Sequence, residues 1–184
     1  GVEALLRWRE SEDHLLAPAN FVPLAEERGM IEELGDWVLR TACDQARAWR
    51  EAGLPDLQIA INLSPRQLAV DNFPERVEGV LAETGLTPDR IEFEITESAL
   101  IRSIEDVDAK LRRLRDMGAR LAVDDFGTGY ASLSYLRRFA VDAIKIDASF
   151  VADIGGPGDG EKLVAAIVAI GQSLDLEVVA EGVE

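Results

Sequence analysis

Cysteine and histidine are nearly absent from this 184-residue chain: Cys43 and His14 are single occurrences. One cysteine closes no intrachain disulfide, and a lone thiol with a lone imidazole cannot assemble a zinc site within one chain. Such cysteine usage fits a reducing cytoplasm. Positive charge is scarce as well, with 19 Lys and Arg against 35 Asp and Glu, a net charge of −16. Nucleic-acid duplexes and anionic membrane surfaces require a basic face, so neither is the bulk partner. Long apolar runs are also missing. The most apolar stretch, Leu163 to Ile170, is less than half of a membrane-spanning helix. No stretch reads as a signal peptide, and the segment is expected to be soluble, making no membrane contact of its own.

Hydrophobic residues nevertheless make up 47% of the chain, enough for one well-buried core and too many for a disordered segment. The chain opens inside an apolar pattern, GVEALLRW, and stops at AEGVE without a cap or tail. It reads as a fragment of something longer.

Strand and helix signals alternate. Strands are expected over Val2 to Trp8, Gln58 to Leu63, Ile91 to Thr96, Arg120 to Asp124, Ala143 to Ile146 and Glu177 to Glu181. A long helix follows the first strand, with Ile31, Leu34, Val38, Ala42, Ala46 and Trp49 at steps of three or four, stopped by Gly53 and Pro55. Further helices are expected over Pro65 to Leu68, Pro74 to Thr84 and Lys162 to Leu174. Another begins at a Ser103/Asp106 capping box and buries Ile104, Val107, Leu111 and Leu114. The Gly155 to Gly160 stretch is a loop. Six units over 184 residues give about 31 residues each, and eight would give about 245, near the roughly 250 of a (β/α)8 barrel. The expected fold is therefore α/β, a TIM-like (β/α)8 barrel with about six of its eight units present.

Strands of parallel sheets are usually buried on both faces and read as continuous aliphatic runs. Several here alternate instead. In Ile91–Thr96 the apolar residues take one face, and Glu92, Glu94 and Thr96 the other. The same parity groups Glu3, Leu5 and Arg7, then Ala60 with Asn62, Ala122 with Asp124, Lys145 with Asp147, and Glu177 with Val179 and Glu181. Asn62, Glu94, Asp124 with Asp125, Lys145 with Asp147, and Glu181 thus fall at or near strand C-terminal ends, where barrel active sites lie. Any one of them is explained as well by helix capping, but five consecutive strands ending this way are not. Two like charges 4 Å apart repel by about 4 kcal/mol at an effective dielectric near 20, so four or five clustered carboxylates need cations. One lysine does not suffice. Carboxylates with an amide carbonyl suit Mg²⁺ or Mn²⁺, and the chemistry they indicate is phosphodiester hydrolysis with two metals about 3.5–4 Å apart.

Gly127-Thr128-Gly129 follows a strand, but Ser132 stands at the third glycine position of a dinucleotide fingerprint and Asp124-Asp125 would repel a pyrophosphate. These glycines are read as a tight loop over the site or a plain connecting turn. Arg7 is read as a bidentate phosphate contact or as a salt bridge within the acidic cluster. Trp37 and Trp49, at helical spacing, are expected to be core or helix-packing residues; His14 and Cys43 are given no role.

The segments GVEALLRW, FVPLAEERGMI, INLSPRQL, IEFEITES, DDFGTGYASL, IKID and AEGVE occur in that order. In this the chain closely resembles the bacterial EAL domain, a phosphodiesterase specific for cyclic di-GMP. The resemblance implies a modified barrel whose first strand runs antiparallel, with residues 1–184 one domain truncated at both ends. The family's first strand would precede Gly1, and its last strand, carrying a glutamine, would follow Glu184. It implies hydrolysis of cyclic di-GMP to linear pGpG with two Mg²⁺ or Mn²⁺ ions. Glu3, Asn62, Glu94 and Asp124 become metal ligands, Asp124 bridging, with Asp125 serving the second ion and Asp147 supporting the group. Lys145 and Glu181 flank the nucleophilic water, Glu181 being either ligand or base. Glu97 anchors the DDFGTGY loop, Arg7 contacts a substrate phosphate, and Glu184 matches the last acidic position of the substrate site. Ala131 departs from a common serine in the loop motif. The resemblance further implies a homodimer, linked sensory or GGDEF domains, and a cytoplasmic location for this domain even where the parent is membrane-anchored. Its alternative is a catalytically inactive cyclic di-GMP receptor or interaction module.

Overall fold

The computed structural model describes residues 1–102, 104–129, 136, 138–139, 141–156 and 158–183. The expectations for Ser103, Ser132, Ala131 and Glu184 lie outside the described residues. The chain divides into two compact units, Gly1–Glu92 and Phe93–Glu184. Among the described residues no helix is long and apolar enough to cross a membrane.

In the first unit, β1 (Val2–Ala4) pairs in parallel with β4 (Ile59–Asn62), Glu3 standing opposite Ala60. The expected first strand is corrected here: it ends at Ala4, and Leu5 and Arg7 do not continue its alternation. Residues beyond it form a separate antiparallel ribbon of β2 (Trp8–Ser11) and β3 (His14–Leu16). The Trp8 ring meets Phe21 edge-on at 5.6 Å, which ties the ribbon to the segment leading into α1 (Val22–Glu27). In α2 (Ile31–Glu51) the buried stripe is Ile31, Leu39, Ala42, Cys43 and Ala46. Trp37 lies two positions from Leu39, about 200° around the helix, and is 57% exposed, so the expectation that it packs in the core is overturned. Burial pushes the Cys43 thiol up to about 12, keeping it a protonated core group. His14 pairs with exposed Glu10 at 2.9 Å.

After β4 come α3 (Pro65–Ala69) and α4 (Phe73–Thr84). Ser64 caps α3: its hydroxyl accepts from the Arg66 N–H, and its own N–H donates to Gln67 Oε1 at 3.1 Å. The same hydroxyl donates to Glu26 Oε1 at the end of α1, at 2.5 Å. The turn immediately beyond Asn62 is thereby held from three directions.

The second unit takes up β5 (Ile91–Thr96) from Phe93 onward, then α5 (Glu97–Arg102), α6 (Ile104–Asp116), β6 (Arg120–Phe126), β7 (Ala143–Ile146), α7 (Ala148–Ala152), α8 (Gly160–Ser173) and β8 (Glu177–Ala180). Its strands lie in the order β5-β6-β7-β8, with β6–β7 and β7–β8 parallel. Phe93, Ile95, Leu121, Val123, Ile144 and Ile146 form the buried apolar face, and Val107, Leu111 and Leu114 of α6 are buried as the helical spacing predicts. The other face of the strands is buried too, yet it carries charge: Glu94, Asp124 and Lys145 are all under 10% exposed. That departure from aliphatic burial locates the site.

Candidate active site

Lys145 is the centre of the charged face. Its ammonium lies 2.7 Å from Glu94 Oε1, 2.7 Å from Glu181 Oε1 and 3.4 Å from Asp124 Oδ1. Burial alone would lower its pKa, but the hydrogen bonds and charges of Glu181, Glu94 and Asp124 overcome this and raise it above the ordinary lysine value. Lys145 is therefore a fixed cation near neutral pH. Glu181 lies one residue past β8, and its N–H donates to the Ile146 carbonyl at 3.1 Å, extending the ladder so that its carboxylate reaches the ammonium.

Asp124 and Asp125 are neighbours in sequence, so strict alternation would send one of them away from the site. The strand departs from alternation at this point. Val123 pairs with Ile144 and Phe126 with Ile146, so Asp124 and Asp125 together stand opposite the single residue Lys145. This is a β-bulge, with Asp125 at φ 54, in the left-handed region. Both carboxylates consequently serve one site: Asp124, Asp125 and Glu181 each offer an oxygen within 4.8 Å of the others. Phe126 resumes the apolar phase and is 3% exposed. The sequence reading placed Asp125 beside Asp124 without this bulge. Its signal was present in an acidic doublet at a strand end, both members of which were assigned to one site.

Among the described residues, Glu94, Asp124, Asp125 and Glu181 thus gather four carboxylates around one ammonium, a deficit of three positive charges. Burial, followed by the charges of Asp124, Asp147 and Glu181, raises the Asp125 carboxyl above its ordinary range. Asp124 Oδ1 is shielded from solvent and accepts no hydrogen bond among the described residues, with the lysine at 3.4 Å. A buried carboxylate oxygen in that condition fits a cation, and an all-oxygen donor set fits a hard divalent one. Asp147 is engaged differently. It caps α7, accepting from the Ser149 N–H at 2.9 Å and from the Ser149 hydroxyl, and these bonds lower its pKa.

Glu97, 4% exposed at the start of α5, reaches the turn beyond the bulge. Its Oε2 accepts from the Gly127 N–H at 3.0 Å, while its Oε1 lies 2.6 Å from where a Cβ on Gly129 would be. A side chain at Gly129 would therefore displace the Glu97 carboxylate from this position.

In the first unit Asn62 Nδ2 donates to Glu3 Oε1 at 2.8 Å, a bond that does not use the amide oxygen of Asn62, which is an acceptor. Both residues are exposed. Arg7 donates to the Leu6 carbonyl at 2.8 Å and lines, with Glu3 and Trp37, a cleft of about 390 Å³.

The EAL domain family model matches residues 1–184 in full. The chain belongs to the EAL domain family. The bifunctional diguanylate cyclase/cyclic di-GMP phosphodiesterase MucR of Pseudomonas aeruginosa is 43% identical over 184 residues, all of this chain and 27% of that protein. The cyclic di-GMP phosphodiesterase PdeR of Escherichia coli is 44% identical over 183 residues, again all of this chain but 28% of that protein. This EAL domain thus spans about a quarter of the length of these curated relatives. A solved structure described as the PaMucR phosphodiesterase in complex with c-di-GMP superposes with a TM-score of 0.93 at 42% identity, covering 99% of this chain and 74% of that one. The fold is the TIM-like barrel type of that family, and the strand-end carboxylates identified above lie in the EAL, EFEITES, DDFGTG and EGVE segments of this chain.

Proposed function

We propose that this EAL domain hydrolyses cyclic di-GMP to linear pGpG with two bound Mg²⁺ or Mn²⁺ ions. The observation that carries the reading is the bulge, which turns two successive carboxylates toward Glu181 in a site short of three positive charges. By the family resemblance, Glu3, Asn62, Glu94, Asp124 and Asp125 would serve as ligands to the ions, with Asp147 supporting from the α7 cap. When bound, the ions supply the Lewis acidity and charge that phosphodiester attack requires. Lys145 keeps Glu94 and Glu181 oriented and remains a cation throughout. Glu181 engages Lys145 through Oε1, so its Oε2 is the atom that takes the proton of the attacking water. Water oxygen bonds to phosphorus, the bond to one ribose oxygen breaks, and that oxygen takes a proton from solvent while Glu181 releases to solvent the proton it took from the attacking water. Glu97 fixes the Gly127 turn, and Arg7 and Glu184 bind the dinucleotide, Arg7 through a phosphate.

MucR and PdeR are cyclic di-GMP phosphodiesterases and the PaMucR structure is a complex with c-di-GMP, which supports the choice of substrate. A cytoplasmic site of action fits the single, buried, protonated thiol. Linked sensory or GGDEF domains accord with the length of the relatives, and a homodimer follows from the family pattern, to be read by sedimentation of the full-length protein. The deciding experiment incubates that protein with cyclic di-GMP and either metal and separates the products. Formation of pGpG supports the enzyme; binding without pGpG makes the domain a receptor.

A further inference from the structure

The five-residue helix α7 touches two backbone positions that matter to the acidic group, and the expected roles do not account for either contact. Gly127 lies two residues past Asp125, and a Cβ there would fall 2.9 Å from Phe150 Cε2 and 3.2 Å from Ile167 Cδ1. Gly182 follows Glu181, and a Cβ there would fall 2.8 Å from Ala148 Cβ. Both glycines have positive φ, 101° and 70°, so each adopts a conformation that L side chains rarely take, while its α-carbon abuts α7. Gly127 is held through its N–H by Glu97, and the space a side chain would take there is filled by Phe150 and Ile167. One short helix therefore braces the turn after Asp125 with Phe150 and the turn after Glu181 with Ala148. The residues that lead into these two turns, Asp125 and Glu181, are those whose carboxylate oxygens approach Asp124 within 4.8 Å.

We infer that α7 is the spacer that sets the separation of the Asp125 and Glu181 carboxylates, with Ala148 and Phe150 as positioning residues that determine which divalent ion the site prefers. The inference rests on the metal reading given above. Its chemical content comes from the ions: Mg²⁺ requires near-ideal octahedral geometry at about 2.0–2.1 Å, and larger ions tolerate displaced ligands. A change in the spacer should therefore alter the ratio of affinities, which a general loss of stability would not.

The test measures Mg²⁺ and Mn²⁺ binding to the full-length protein by calorimetry without substrate, subtracting an Asp124→Asn control. Ala148→Val adds two methyl groups against Gly182 and should weaken Mn²⁺ by about tenfold and Mg²⁺ by several times more, in the range for residues that support metal ligands. Ala148→Ser should retain the wild-type ratio. Phe150→Leu releases Gly127 without added bulk and should also lower the Mg²⁺:Mn²⁺ affinity ratio; it decides the matter if Ala148→Val does not fold. An unchanged ratio in the folded variants overturns the spacer. If wild type and Asp124→Asn bind metal equally, the failure belongs to the metal reading instead.

Discussion

Two groups of charged or polar strand-end residues, one in each unit, hold their side chains by opposite means. Glu3 and Asn62 are exposed, joined by one hydrogen bond, and supported by a helix cap two residues downstream. Glu94, Asp124 and Lys145 are buried, with three strands supplying charges that solvent cannot screen. In the first group the local backbone fixes position and water bears the charge. In the second the charges fix one another, so function and stability depend on the same atoms.

The contrast breaks most directly at Glu3. Glu3→Ala should reduce cyclic di-GMP turnover to background while changing stability by no more than about 0.5 kcal/mol, as expected of an exposed side chain; kinetics and a denaturant titration on one preparation test both halves. Next is Lys145→Met, which strands Glu94 at 2% exposure without its cation. It should lose activity and about 3–5 kcal/mol of stability. Equal stability losses in the two variants would erase the distinction between the groups. Ser64→Ala removes the α3 cap and the Glu26 bond, so about 1 kcal/mol should be lost in chemical unfolding, together with weakened metal binding from a misplaced Asn62.

The smallest effect has the opposite sign. Burial and like charges raise the Asp125 carboxyl, so between the ordinary value of 3.8 and its folded value the native state binds more protons than the unfolded one. Stability of the metal-free protein therefore falls as pH rises through that window. Asp125→Asn should make the metal-free protein more stable than wild type near neutral pH, by less than about 1 kcal/mol for this partly exposed group. The advantage should fade as pH falls through the ordinary carboxylate range, where Asp125 is neutral in both states. Thermal melts with and without chelator show it, and added Mg²⁺ should reverse the order.

Much of this was legible in the chain itself. The boundaries of β5 and β7 follow from strict alternation, and the polar face of β5 announced a site because no aliphatic sheet requires Glu94 there. The first strand was read too long because Leu5, Leu6 and Trp8 extend its apolar pattern. Pairing of residues 8–11 with 14–16, which ends it, is a tertiary choice that local periodicity does not encode. Trp37 was misplaced for a similar reason: several apolar residues of α2 compete for one stripe, and packing selects Leu39. Lys145 was recognised as a strand-end residue, but its three partners come from the β5, β6 and β8 ends and become a set only when the strands are side by side.

The bulge also bears on how this chain tolerates insertion and deletion. Because Asp124 and Asp125 share one rung, Asp125 is in effect an inserted residue, and the phase of β6 on either side of it agrees. Excising it would leave Leu121, Val123 and Phe126 on the same face and close the ladder into an unbroken strand. A frame-preserving loss of that codon thus removes a carboxylate and relieves a left-handed residue at once. Such a deletion should leave a well-paired sheet while taking one carboxylate out of the acidic group, so folding of the strand does not itself require the extra residue.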